Sequence, residues 1–168
     1  MNVMLFSDSH GRVSYIEQMM VRVLSVGAPP TQVLFLGDGL TDLARAHGLE
    51  GQSVVAVRGN CDGNAEEPLM REIGLGGYRA LMLHGHTAGV KCDLLGAIGE
   101  AVRREADLLF YGHTHEPFAR QFAPDETYMG VKIKKPLFVF NPGALKDGSF
   151  GRIEFNEKGI LMSHGRLF

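Results

Sequence analysis

Short apolar runs that stop at polar residues recur through the first two-thirds of the chain. Five such runs lie at 2–6, 32–38, 53–62, 78–86 and 107–115. Each ends at a polar cluster, a pattern that predicts a buried strand leading into a loop.

The segments between these runs predict helices. Apolar residues recur at helical spacing across 13–26, and the glycine-proline segment 27–30 ends that helix. A short helix is predicted at 41–47 and a longer one at about 92–105. The first two-thirds of the chain therefore alternate strand and helix.

The last third of the chain is different, because it consists of short β-like segments divided by proline, glycine and aspartate. Such segments are typical of hairpins. Alternating strands and helices followed by strands predict an α/β fold with two packed sheets. With 168 residues, 45% hydrophobic and 21% charged, we expect a single globular domain spanning 1–168.

Charge and composition argue against several functional classes. The formal net charge is −2 and basic residues form no block, so an extended nucleic-acid interface is not expected. No apolar stretch approaches the roughly 18 residues that a membrane span needs, and the N-terminus lacks the features of a signal peptide. Cys61 and Cys92 have no disulfide or metal-type spacing. A cytoplasmic location is the expectation.

The predicted strands end in residues that can bind metal ions. These residues are Asp8, His10, Asp38, Asn60, Asp62, His84, His86, His113 and His115. Since the carboxyl ends of strands in an α/β sheet line one edge, the five loops are expected to meet there. The D-x-H and H-x-H spacings predict that both side chains of an extended pair point the same way. Carboxylate, amide and imidazole groups together suit Mn²⁺, Fe²⁺ or Zn²⁺.

The motifs DSHG, GDG, GNCD, HGH and GHTH, in this order and followed by NPGA at 141–144, resemble those of the calcineurin-like metallophosphoesterases. The GNCD motif is similar to that of compact bacterial and archaeal phosphodiesterases. The resemblance implies a four-layer α/β/β/α sandwich of two mixed sheets flanked by helices. It also implies two divalent metal ions, with Mn²⁺ favoured and Mg²⁺, Zn²⁺, Ni²⁺ and Fe²⁺ as alternatives.

The resemblance also implies which side chains hold each ion. One ion would be bound by Asp8, His10, Asp38 and His115, and the other by Asp38, Asn60, His84 and His113. Asp38 would bridge the two. The implied reaction is hydrolysis of a small-molecule phosphate ester by in-line attack of a metal-bridging hydroxide.

The resemblance further implies a catalytic group made of Asn60, Cys61, Asp62 and His86. Cys61 stands where many family members have histidine, and a thiol is a poorer general acid near neutrality than imidazole. Because family members with this cysteine tend to favour diesters, a phosphodiesterase is expected. Asp62 is expected to orient a neighbouring ligand, and His86 is a candidate for assisting the leaving group.

Other interpretations remain open from the sequence. Asp8 would suit a helix cap, Asp38 a turn position and Asn60 a left-handed loop position. A phosphomonoesterase acting on nucleotides or other small phosphates is the second candidate function. A non-catalytic scaffold on the same fold is the third, because fold alone does not imply chemistry. The oligomeric state is open and includes a homo-oligomer.

Overall fold

The computed structural model describes residues 1–168 and contains twelve strands and three α-helices. The helices are α1 (Val13–Val26), α2 (Leu40–Leu43) and α3 (Leu95–Arg103). The strands are β1 (Asn2–Phe6), β2 (Gln32–Phe35), β3 (Val54–Ala56), β4 (Met70–Leu75), β5 (Tyr78–Leu83), β6 (Leu108–Tyr111), β7 (Pro117–Phe122), β8 (Thr127–Tyr128), β9 (Val131–Lys132), β10 (Leu137–Pro142), β11 (Ser149–Asn156) and β12 (Gly159–Arg166).

Two five-stranded mixed sheets lie at the centre of the fold. The first has the order β12-β11-β1-β2-β3 and the second the order β4-β5-β6-β10-β7. In the first sheet β1, β2 and β3 are parallel, and in the second β5, β6 and β10 are parallel. All five motif loops follow parallel strands, so the predicted arrangement of loops at strand carboxyl ends is confirmed.

Alternate side chains of the central strands face different layers, as the two-residue period of a strand requires. In β1, Val3 and Leu5 pack between the two sheets, whereas Met4 and Phe6 pack against α1. On the far side of the second sheet, α3 packs through residues such as Ile98. The layer order is helix, sheet, sheet, helix, which confirms the predicted α/β/β/α sandwich.

Several predicted elements have different bounds in the structure. The helix predicted over 41–47 is the four-residue α2, followed by a 3₁₀ turn at His47–Leu49. The chain also contains β4, which the sequence pattern did not predict. It joins β5 through Gly76 and Gly77, whose φ angles of 56° and 88° suit a two-residue hairpin turn.

The carboxyl-terminal third forms strands, as predicted. Strands β10 and β11 enter the two different sheets, and the segment between them carries the NPGA motif to the motif loops. There Leu145 and Lys146 donate backbone hydrogen bonds to the carbonyls of Ser7 and Asp8, at 2.8 and 3.1 Å. None of the helices is long and apolar enough to span a membrane.

Candidate metal centre

The motif loops are hydrogen-bonded to one another at the shared edge of the sheets. The Asp8 amide donates to the Gly37 carbonyl at 2.9 Å, and the His10 amide donates to the Asp38 carbonyl at 3.3 Å. The Gly112 amide likewise donates to the His84 carbonyl at 3.0 Å. These bonds bring side chains from distant parts of the chain into two adjoining clusters.

The first cluster is formed by Asp8, His10 and His115. Oδ1 of Asp8 lies 3.2 Å from Nε2 of His115 and 3.6 Å from Nε2 of His10. Asp8 is fully buried, and its Oδ1 has no hydrogen-bond partner in the protein. Since an unsatisfied buried carboxylate is costly, this oxygen is suited to a bound cation.

The second cluster is formed by Asp38, His84 and His113, with Asn60 beside them. Nε2 of His84 lies 3.4 Å from Oδ2 of Asp38, 3.1 Å from Nδ1 of His113 and 3.2 Å from Oδ1 of Asn60. The other nitrogen of His84, Nδ1, donates to the Leu36 carbonyl at 2.7 Å. That bond places a proton on Nδ1 and turns Nε2 toward the other three ligand atoms.

Asp38 belongs to the second cluster and also lies beside the first. Its Oδ2 lies 3.4 Å from Nε2 of His84 and 3.8 Å from Nε2 of His10. Burial opposes ionisation of Asp38, but hydrogen bonds from His84 and from the Cys61 amide hold its pKa below the usual range. The carboxylate is therefore ionised at neutral pH and available to bridge two cations.

The histidines of the second cluster have opposite pKa shifts. Burial lowers the pKa of His84, but Asp38 and Asp8 outweigh it and the net change is upward. These carboxylates favour a positive charge at His84, and a metal ion bound there would supply that charge. Burial, the neighbouring His84 and the Lys91 charge lower the pKa of His113 to about 4. His113 is therefore neutral near pH 7, as a metal ligand must be.

The motif backbones are not extended, so the backbone predicted for the D-x-H and H-x-H pairs is wrong, although Asp8 and His10 still face the same cluster as predicted. Asp8, His10, Asp38, His113 and His115 all have φ angles between 43° and 67°. Non-glycine residues adopt this left-handed region at a cost, and such strain concentrates at functional sites. The turns send His115 to the first cluster and His113 to the second.

Asp62 fixes the loop that carries Asp38. Its two carboxylate oxygens accept hydrogen bonds from the backbone amides of Asp38, Gly39, Leu40 and Gly59, at 2.7–2.9 Å. Bonds from N–H groups to a carboxylate are among the stronger hydrogen bonds in proteins. Asp62 therefore lies where it can position Asp38, and its oxygens are occupied by amides.

Cys61 and His86 flank the ligand clusters. The Cys61 thiol lies within 4.8 Å of the ligand atoms of His10 and Asp38, and burial together with Asp38 raises its pKa. The ring centroid of His86 lies 5.4 Å from that of His84. Burial and the nearby His84 lower the pKa of His86, and its buried Nδ1 has no hydrogen-bond partner in the protein. Both groups are uncharged near neutral pH.

Two residues that support the centre received no role from the sequence. Asp42 accepts hydrogen bonds from the Ser9 hydroxyl at 2.6 Å and the Gly11 amide at 2.7 Å, which fix the first motif loop. The Asn141 side chain donates to the Gly112 carbonyl at 3.1 Å and the Thr114 hydroxyl at 3.0 Å. A buried carboxylate and amide are hard to recognise in sequence, although Asn141 begins the NPGA motif.

The cap interpretation of Asp8 and the left-handed interpretation of Asn60 are wrong. The first residue before α1 is Arg12, and no side chain caps that helix. The carboxylate of Asp8 instead contacts His115 and His10. Asn60 is outside the left-handed region and contacts His84. Two histidines lie outside the motifs. One of them, His164, stacks on Phe140 with the ring centroids 4.5 Å apart.

Comparison with known proteins found relatives in sequence and in fold. The phosphodiesterase YfcE of Escherichia coli is 28% identical over 167 residues, covering 86% of this chain and 79% of YfcE. A Streptococcus pneumoniae crystal structure described as a predicted phosphoesterase has a TM-score of 0.73 at 22% identity, covering 99% of this chain and 89% of that one. Zinc-complexed Vps29 of Entamoeba histolytica has a TM-score of 0.66 at 19% identity, covering 100% of both chains.

The two solved structures are similar to this chain in fold. The family is identified from the sequence. Residues 1–163 match the family model described as a calcineurin-like phosphoesterase superfamily domain. This match includes every motif from DSHG to NPGA, and it confirms the resemblance that the motifs indicate. The chain therefore belongs to the calcineurin-like phosphoesterase superfamily.

Proposed function

We propose that this chain is a phosphodiesterase that uses two divalent metal ions, with Mn²⁺ favoured, to hydrolyse a small-molecule phosphate ester. The observation that carries the proposal is the position of Asp38, whose Oδ2 faces His10 of one ligand cluster and His84 of the other. Membership of the superfamily supports phosphoester hydrolysis. The phosphodiesterase name of the relative YfcE supports the diester preference.

The donor set fits a pair of divalent ions. Asp8, His10 and His115 would hold the first ion, Asn60, His84 and His113 the second, and Asp38 both. Bound there, such ions lower the pKa of a coordinated water and neutralise charge on phosphoryl oxygens. The unpartnered Oδ1 of Asp8 and the anchored His84 ring both suit such ions.

The protein's own groups orient the ligands and hold the proton for the leaving group. Asp62 fixes the Asp38 loop through backbone amides. The Cys61 amide donates to Oδ1 of Asp38 at 2.7 Å, which leaves Oδ2 facing the histidines. The Cys61 thiol keeps its proton and lies beside the clusters, where it could hand that proton to a departing oxygen. His86 also lies beside the second cluster, but its lowered pKa leaves it without the proton that this role needs near neutral pH. The raised pKa of Cys61 makes it a weak acid, which suits esters whose leaving group needs little protonation.

The positions of the candidate metal ligands also bear on the alternative that the chain is a non-catalytic scaffold. The likeness to Vps29 is at 19% identity and concerns the fold. Every predicted ligand position here holds a residue able to coordinate a metal ion, and these residues converge. A scaffold would need neither the convergence nor the strained backbone at Asp8, Asp38 and His113.

Metal dependence should appear both in activity and in stability. Purified protein should hydrolyse bis(4-nitrophenyl) phosphate with Mn²⁺ and lose that activity in chelator. An ion present at about 100 times its Kd adds about 2.7 kcal/mol, which is about 5–10 °C in Tm for a domain of this size. Calorimetry with and without Mn²⁺ measures the shift. Unchanged Tm together with chelator-resistant activity would rule out the proposal.

Replacing Cys61 with histidine should shift the substrate preference toward monoesters. A positioned general acid contributes about 10²–10⁴-fold where the leaving group needs a proton, so kcat/KM for the alkyl monoester glycerol phosphate is expected to rise by about 10-fold or more relative to that for bis(4-nitrophenyl) phosphate, whose leaving group needs little protonation. Cys92→His is the matched control, because Cys92 is the other free, exposed cysteine. An unchanged ratio of monoester to diester kcat/KM in the Cys61 variant would remove the thiol from the explanation of diester preference.

A further inference from the structure

A cavity of about 560 Å³ opens beside the metal centre. Its volume lies within the range of small-molecule sites. It borders the fifth motif loop, because Thr114 and Glu116 line it and alternate along the chain with His113 and His115. No ligand side chain of either cluster lines the cavity. It is therefore an adjoining space and distinct from the metal centre itself.

Aromatic rings form much of the cavity wall. Phe118 is partly exposed and packs on the buried Tyr111, with ring centroids 6.4 Å apart. Tyr128 is partly exposed and packs edge-to-face on the buried Phe122, with centroids 5.7 Å apart. Each exposed ring is thus supported by a second ring behind it, which holds its face in a fixed position. Fixed aromatic faces bind planar rings by stacking.

Lys91 is the cation of the cavity wall that has no ion-pair partner in the protein. The segment that carries it lies against the fourth motif loop, where the Val90 amide donates to the Gly85 carbonyl at 3.4 Å. Lys91 therefore lines the cavity on the side of the motif loops. The other cation of the wall, Arg120, is paired with Glu126 and lies over the Phe122 ring. Lys91 is placed to contact a phosphate oxygen held between the cavity and the metal centre.

The cavity and Cys61 lie on different sides of the centre. Cys61 follows β3, the edge strand of the first sheet. The cavity is lined by residues of β6, β7, the β8–β9 hairpin and the segment 90–94, which belong to or border the second sheet. A leaving group that departs beside Cys61 therefore points away from the cavity. The group left in the cavity is the one that remains on the phosphorus.

We propose that the cavity binds a planar aromatic ring on the retained substituent of a phosphodiester, with Lys91 against a phosphate oxygen. The substrate class is then a diester of a nucleoside or of another alcohol that carries an aromatic ring. The hydrolytic part of this inference rests on the proposed phosphodiesterase function. Binding of the ring rests on the cavity alone, so the two can be tested separately.

Three diesters with the same leaving group test the inference on manganese-loaded protein. They are the 4-nitrophenyl ester of thymidine 5′-phosphate, bis(4-nitrophenyl) phosphate and methyl 4-nitrophenyl phosphate. The nucleoside or aryl ester is expected to have a kcat/KM about 10-fold or more above that of the methyl ester, since each stacked ring adds affinity. Preference for the nucleoside over the plain aryl ester would identify the source of the ring.

Variants of the wall decide whether the cavity causes the preference. Phe118→Ala and Tyr128→Ala should each reduce the aromatic-to-methyl ratio toward one, whereas Tyr128→Phe keeps the ring and should keep the ratio. Phe168→Ala is the control, because Phe168 is an exposed phenylalanine that does not line the cavity. If the diesters are hydrolysed but the ratio is near one, or is unaltered in both alanine variants, the cavity proposal is overturned and the phosphodiesterase proposal stands.

A binding experiment covers the case in which no ester is hydrolysed. The phosphodiesterase proposal then fails, and calorimetric titration with thymidine 5′-phosphate and methyl phosphate tests the cavity by itself. Binding of the nucleotide about 10-fold or more tightly than methyl phosphate, with loss of that difference in Phe118→Ala, supports the cavity proposal. Equal binding of the two phosphates overturns it.

Discussion

Replacing Asp38 with asparagine should lower kcat for diester hydrolysis by about 1000-fold or more and reduce the metal content of the protein. Asp38 is the residue that faces both ligand clusters, and an amide keeps its shape while removing its charge. Stabilisation of the transition state by metal ions is worth several kcal/mol, and each factor of ten in rate corresponds to about 1.4 kcal/mol. A loss of about 4 kcal/mol gives the expected effect.

The matched control for this variant is Asp125→Asn. Asp125 has a φ of 67°, close to the 62° of Asp38, so both substitutions make the same change in the same backbone conformation. Asp125 is exposed and paired with Lys132 at the surface, where an ion pair contributes little. Elemental analysis should give two manganese ions per chain in the parent and control and fewer in Asp38→Asn. Full occupancy and activity in Asp38→Asn would show that this carboxylate does not bridge the ions.

The fold was predictable from sequence because its central strands are buried on both faces. Such strands appear as uninterrupted apolar runs, whatever their neighbours, as β1 and β6 show. Helix α1 covers one side of a sheet, so its apolar positions recur at helical spacing and its predicted bounds are those of the structure. Strand β4 lies at a sheet edge with mostly exposed or half-buried residues, and its pattern is correspondingly weak.

The candidate site was predictable in residue type and order but not in local geometry. Motif order implied that the ligands meet at one edge, since loops after parallel strands must lie there. The left-handed backbone at Asp8 and His115 depends on contacts between loops far apart in sequence. The supporting roles of Asp42 and Asn141 likewise depend on partners that only the folded chain brings near. Pair contacts of this kind leave no periodic signal in the sequence.

Gly59 should be sensitive to substitution although it is not a ligand, because the second and third motif loops touch there through their backbones. A Cβ atom added at Gly59 would lie 2.0 Å from Oδ1 of Asp38 and 2.6 Å from the Asp38 amide nitrogen. Either the carboxylate or the loop must move. Gly59→Ala is expected to lower kcat/KM by about 100-fold, since a shift of about 1 Å in a reactive group has this effect. It should also lower the free energy of unfolding by about 1–3 kcal/mol, the usual cost of overpacking.

Gly74→Ala separates this effect from the general effect of adding a methyl group. Gly74 lies in β4, and a Cβ atom there would meet nothing within 4 Å. The Gly74→Ala variant should have the activity and the manganese affinity of the parent protein. Urea unfolding in chelator measures the strain alone, and the same experiment with Mn²⁺ adds the contribution of the bound ions. If Gly59→Ala binds manganese and hydrolyses diesters like the Gly74 variant, the position of Asp38 tolerates displacement and the close contact between these loops has no part in holding the ions.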